Sequence, residues 1–383
     1  MRTAMFSLLG LLLPATAACA AAPDARAIIA DLQKVVTPNG VDRQTEVPIG
    51  GTQQWITVRG RDLHNPILLF IHGGPGAPEM PTSWTFQNPW EDYFTVVQWD
   101  QRGSGKTYNA NDPQKIRPTM SAERMEKDTQ ELVQYLRATY HKDKIFVMAH
   151  SWGTVLGLRL AQEHPEWLYA YVGMGQMIDT RESERLGYAA TLKAAEAAHD
   201  ETAVKELTAI APYPEADGTM PLDKIDTERK WSVKYGGLSW NRDSYGYYYH
   251  ATRLSPDYTD ADLDAIDKGS ELSLTGLMKD FTAVDFTKTT DFRCPIVLFN
   301  GRHDDTVSAK LAADWFAHVH APSKKLVWFE DSAHMMQIEE PGRVLVHLVE
   351  DVRPLAGVGW AQYSKSAGQV QAAPQMRSQR RRR

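Results

Sequence analysis

The chain has 383 residues, 43% of them hydrophobic and 23% charged, which excludes a disordered chain and leaves room for a large core with a subdomain. Its formal net charge is −6. Without the two ends, 1–22 and 361–383, 35 basic residues stand against 48 acidic ones, so a nucleic-acid partner would rest on the basic tail alone and none is expected.

The first 22 residues combine Arg2, an apolar run from Phe6 to Leu13 and small residues near Ala20 to Ala22. That is the pattern of a cleaved signal peptide, and the run is too short for a stable membrane span. Export to a periplasmic or secreted destination is the expectation. Lipid modification of Cys19 is the alternative, although Thr16 stands where a lipoprotein signal prefers an aliphatic residue. Cleavage after Ala20 leaves Cys294 as the single cysteine, so no internal disulfide is expected.

From residue 23 the chain alternates short aliphatic runs with stretches of helical spacing. The runs are "PILLFIHG", "YFTVVQWD", "KIFVMAH", "YAYVGMG", "PIVLFNG" and "KKLVWFE". Such alternation predicts an α/β fold, a mostly parallel sheet with helices on both faces. One helix is predicted over 121–137, with Ser121 as N-cap and Met125, Leu132, Val133 and Leu136 on one face. Between 176 and 290 the strand rhythm stops, which predicts an inserted helical cap. The core is thus divided into 23–175 and 291–356, and 357–383 is expected to be a disordered basic tail.

The stretch "KIFVMAHSWGTVLG" at 144–157 places Ser151 where a strand run gives way to helical spacing. A serine exposed on such a turn is a nucleophile candidate, the usual pattern being G-x-S-x-G with Ala149 here at the first position. The turn demands a very small side chain, and alanine adds one methyl. On this motif alone, a serine that merely caps the helix is the competing reading.

A serine hydroxyl needs a base, and the base needs an orienting acid. "IVLFNGRHDD" delivers Asp304 just past one strand and "KLVWFEDSAHMM" delivers His334 past another, in the order acid then histidine. Asp305 competes with Asp304, and His303 adjoins both. His150 is expected to give packing or hydrogen-bonding support. For the oxyanion, the backbone amides of Gly74, in "ILLFIHGGPGAP", and of Trp152 are the expected donors, with His72 holding the loop. The histidines and acids show no metal-ligand spacing, so no metal is expected. "SYGYYYH" is either an aromatic wall or cap core, and "WDQRGSGKT" lacks the spacing of a phosphate loop.

"HGGPG" at 72–76, "WDQRGSG" at 99–105, "SWG" at 151–153, "AQEHPE" at 161–166 and "GRHD" at 301–304 together resemble the prolyl iminopeptidase branch of the α/β-hydrolase family. The resemblance implies the α/β-hydrolase fold, Ser151, Asp304 and His334 as the triad, a helical cap over the site, and hydrolysis without metal or cofactor. The cap departs from the pattern: "RKWSVKYGG" puts Lys234 and Tyr235 where a tryptophan-plus-glutamate arrangement is associated with binding a peptide's amino end.

The expected activity is a serine aminopeptidase that releases N-terminal proline or other residues from short peptides. The alternative is an esterase, amidase or lactonase on small apolar or aromatic substrates; a binding protein that kept the fold without the chemistry is a third class. An aminopeptidase needs a carboxylate near the serine for the substrate ammonium, and Glu182, Glu184 and Glu228 are the candidates.

Overall fold

The computed structural model describes residues 24–357; residues 1–23, where the expected signal peptide and Cys19 fall, and 358–383, nearly all of the expected basic tail, lie outside the described residues, so those expectations are not addressed by it. Eight strands form one sheet: β1 (Val41–Ile49), β2 (Thr52–Gly60), β3 (Ile67–Ile71), β4 (Thr95–Trp99), β5 (Ile145–His150), β6 (Leu168–Met174), β7 (Ile296–Gly301) and β8 (Lys324–Phe329). Their order is β1-β2-β4-β3-β5-β6-β7-β8. The six strands β3 to β8 run parallel, while β1 and β2 join as an antiparallel edge.

All six aliphatic runs of the sequence are these parallel strands. Both faces of β3 to β7 are covered, so residues of both parities are apolar, while β8 at the other edge begins on the exposed Lys324 and Lys325. In β3, Ile67, Leu69 and Ile71 enter the core on one side of the sheet and Leu68 and Phe70 the core on the other; Val147 and Met148 divide in the same way in β5. The edge hairpin was absent from the sequence expectation. β1 is largely exposed and β2, between β1 and β4, is mostly buried; the two turn at Gly50 and Gly51, whose φ values of 57° and 76° suit the two-residue turn that matches strand twist.

The predicted helix at 121–137 runs from Ala122 to Thr139, and the Ser121 hydroxyl accepts from the Arg124 amide at 3.2 Å. Its four apolar residues are buried. Between β6 and β7 come five helices, Thr180–Ala197, Glu201–Ala209, Leu222–Lys234, Gly246–Thr252 and Asp260–Thr282. They have a small core of their own around Leu207, Tyr213 and Trp231. The two ends of this insertion are tied together, since the Thr180 amide donates to Val284 and the Phe286 amide to Ile178.

"WDQRGSGKT" fastens the insertion to the sheet. The Lys106 ammonium reaches Asp262 at 3.2 Å, and the Tyr258 hydroxyl donates to Asp100. Arg102 is buried and grips Asp128 with two hydrogen bonds, 2.7 and 3.1 Å. These residues are committed to buried contacts within the protein, which accounts for the stretch without a phosphate ligand. Among the described residues no helix is long and apolar enough to cross a membrane.

Candidate active site

β5 ends at His150 and the helix Gly153–Glu163 begins two residues after Ser151. Ser151 turns the corner with φ of 53°, a left-handed conformation that costs a residue with a side chain about 1 kcal/mol or more. The chain is held there by the Ser151 amide donating to Met174 at 3.0 Å. A side chain at Gly153 would meet the Ile71 carbonyl at 2.2 Å, which explains why the motif's last position is glycine. The first position tolerates Ala149 because Gly157 faces it: a methyl placed on Gly157 would lie 3.0 Å from the Ala149 methyl. One small residue on the helix makes space for one methyl on the strand.

Asp304 follows β7 and His334 follows β8. One carboxylate oxygen of Asp304 accepts from the Val307 amide at 2.8 Å, and the other lies 2.7 Å from His334 Nδ1. Both residues are buried. With Nδ1 taken by the carboxylate, Nε2 is the ring nitrogen left for the cavity of about 180 Å³ whose wall His334 shares with Ser151. Burial lowers the His334 pKa below its ordinary value, with Asp304 pulling it back up and His150 pushing it further down. The imidazole is therefore neutral, the form a proton acceptor requires. Asp305 is exposed, its amide bonded to Gly237, and the hydrogen bond to His334 belongs to Asp304. His303 stacks on Trp240 at 3.4 Å, away from the pair.

The "HGGPG" loop presses on the serine so closely that a side chain on Gly73 would stand 2.7 Å from the Ser151 Cβ. Gly74 lines the cavity beside Ser151, and Trp152 begins the helix with its side chain fully buried. His72 braces this loop. Its Nδ1 donates to the Gly73 carbonyl at 2.9 Å and its Nε2 accepts from the Gln101 amide at 3.2 Å, while burial pushes its pKa down to about 4.

His150 supports His334. Its Nε2 donates to the His334 carbonyl at 2.9 Å, the two rings lie 4.5 Å apart, and its Nδ1 is paired with Glu79. Burial opposes a charge on His150, yet the Glu79 carboxylate outweighs it and raises the pKa. Glu79 in turn accepts from Gln337 at 2.8 Å. No local pattern points to Glu79, which lies 71 residues before the histidine it pairs with.

The three cap carboxylates separate. Glu184 is buried and lines a second cavity of about 80 Å³ that also reaches Ser151; it accepts from the Tyr213 hydroxyl at 2.6 Å and pairs with Arg229. Glu228 is buried behind it, lines neither cavity, and bonds to Thr191 at 3.0 Å and to Arg229. Burial raises the Glu228 pKa, with Arg229 opposing. Glu182 does not reach the site at all. It is paired with Arg185 at the surface, at 2.6 Å, because two residues along a helix turn a side chain through roughly 200° away from Glu184's face. Lys234 and Tyr235 are likewise engaged elsewhere, both bonded to Asp200.

Arg229 was not foreseen, although it lines both cavities at Ser151. Its only signal was its place beside Glu228 in "ERK". Of the aromatic stretch, Tyr245 and Tyr248 stack at 4.7 Å and form wall of the larger cavity, so "SYGYYYH" is partly lining and partly packing. Among the described residues no group of three or more His, Cys, Asp or Glu side chains is placed to hold a metal ion.

Known proteins share this fold. A family profile for the alpha/beta hydrolase fold matches residues 66–341. A probable aminopeptidase of Bacillus subtilis, YbaC, is 31% identical over 305 residues, 77% of this chain and 92% of that one. A proline iminopeptidase of Neisseria meningitidis is 38% identical over 102 residues, which is 26% of this chain and 29% of its own length. Among solved structures, a proline iminopeptidase of Mycobacterium smegmatis superposes with a TM-score of 0.55 at 17% identity, covering 82% of this chain and all of that one.

Proposed function

Because the chain belongs to the α/β-hydrolase fold family, we propose that it is a serine hydrolase that releases N-terminal residues, proline among them, from short peptides. The observation that carries this is the 2.7 Å Asp304–His334 pair, whose histidine shares one cavity with a serine held on a strained turn. His334 Nε2 takes the Ser151 proton as Oγ attacks the scissile carbonyl. Asp304 orients the ring and stabilises the imidazolium. The amides of Gly74 and Trp152 receive the oxyanion, and His334 then protonates the leaving nitrogen. Water attacks the acyl enzyme, its proton passes by way of His334 to Ser151, and the residue leaves as a free acid.

The aminopeptidase part of the proposal is supported by the named activity of the Bacillus subtilis relative and by Glu184, a buried carboxylate on the wall of the 80 Å³ cavity. A substrate ammonium buried without a partner costs several kcal/mol, so such a carboxylate is the requirement. One observation favours the esterase or lactonase reading instead: Arg229 stands beside Glu184 and cancels part of its charge. Prolyl amides with a free and an acylated nitrogen separate the two. A strong preference for the free amine is expected; equal rates on both, with fast ester hydrolysis, would establish the esterase. The signal-peptide pattern of residues 1–22 motivates a further proposal of export, tested by the mature N-terminus of the secreted protein.

A further inference from the structure

Two cavities meet at the candidate nucleophile, and a third adjoins one of them. The smallest, about 80 Å³, is closed by Glu184 and Arg229 and does not include His334. The second, about 180 Å³, shares Ser151 with it and does include His334. The third is the largest, about 520 Å³, and backs onto the second through Ala77, Tyr245 and Tyr248. Leu263 and Ile266 of the helix Asp260–Thr282 form its far side.

We propose that this third cavity binds the leaving portion of the substrate, the second and following residues of a peptide whose first residue occupies the 80 Å³ cavity. The inference rests on the aminopeptidase reading above. The direction follows from the proton. When Ser151 Oγ bonds to the carbonyl carbon and the C–N bond breaks, the leaving nitrogen collects its proton from His334, so it departs on the side His334 lines. That side is the second cavity. The acyl residue is left with the first, a space of two or three waters at ~30 Å³ each, enough for one small side chain. Beyond the scissile bond an extended chain advances ~3.3 Å per residue and passes from His334 along the stacked tyrosines into the third cavity.

The walls there define the chemistry. Tyr245, Tyr248, Leu263 and Ile266 offer aromatic and aliphatic surface. At the rim Arg253 and Lys268 are balanced by Asp264 and Asp267, which leaves no net charge to select for. Apolar or aromatic residues are therefore favoured at the second and third positions of the peptide.

The test compares prolyl amide, Pro-Leu amide and Pro-Leu-Phe amide with the wild type, Ile266→Trp, which fills the cavity, and Ile266→Ala, which removes contact without crowding. In the wild type, kcat/KM is expected to rise about tenfold or more from the shortest to the longest substrate, mainly through KM. The ratio of longest to shortest is expected to fall to about one in Ile266→Trp and less far in Ile266→Ala, thermal melting showing that both variants are folded. A flat series in the wild type, or an unaltered ratio in folded Ile266→Trp, overturns the proposal and leaves the aminopeptidase reading standing. Failure of the wild type on every free-amine substrate while it hydrolyses esters overturns that reading, and this proposal with it.

Discussion

The sheet side of the cavity and the insertion side hold their groups by different means. On the sheet side, Ser151, Asp304 and His334 each stand just past the end of a parallel strand, fixed by backbone turns and by short hydrogen bonds to backbone amides and carbonyls. On the insertion side, Glu184 and Arg229 come from two different helices and are held by ion pairs to one another and to Glu228. The first arrangement suits chemistry that tolerates little displacement. The second suits recognition, since changing one charge alters what is bound without disturbing the strand ends.

The sharpest way to break this comparison is to remove the nucleophile. Ser151→Ala is expected to lower kcat by at least about three orders of magnitude on every substrate, esters included, and steady-state kinetics checks it. Asp304→Asn comes next, with a loss of about 10³-fold or more, because an amide cannot stabilise the imidazolium of His334. Asp305→Asn, an exposed side chain, is expected to stay within about threefold. The reverse ranking would transfer the acid role to Asp305.

A smaller and more selective effect is expected on the insertion side. Glu184→Gln keeps an acceptor for the Tyr213 hydroxyl but removes the charge, and should cost about a hundredfold in kcat/KM on a free prolyl amide while the matched N-acyl substrate loses far less. Equal losses on both would make Glu184 structural.

The smallest effect concerns pH. Burial holds the His334 pKa below its ordinary ~6.5, so the neutral base persists to lower pH and the acid limb of kcat/KM is expected below that value. The charged groups around His334 are Asp304, His150 and Arg229. Glu79→Gln takes the counter-ion from His150, which then loses its own proton and its effect on its neighbour. The acid limb should move upward. A downward movement would contradict the bracing role of the Glu79–His150 pair.

The same contrast governs what was legible in the sequence. β3 to β7 were visible because two covered faces make continuous aliphatic runs, β8 because it keeps a shorter one after its exposed lysines, and the three strand-end residues were visible because each follows such a run. β1 escaped because an edge strand exposes most of its residues and has no such run, and β2 because its short apolar stretch Trp55–Val58 is broken by Thr57. Glu79 and Arg229 escaped for another reason. Their partners lie 71 and 45 residues away along the chain, and no local periodicity records a charge pair made through space. Glu182 and Glu184 looked equivalent in a list of nearby acids, yet helix geometry sends one to solvent and the other to the cavity.

The nucleophile is tested most directly by mass spectrometry of the protein after reaction with a fluorophosphonate. A single adduct mapped to Ser151, absent from Ser151→Ala and slowed in Asp304→Asn, is the expected result. An adduct on another residue, or full turnover by Ser151→Ala, would contradict it.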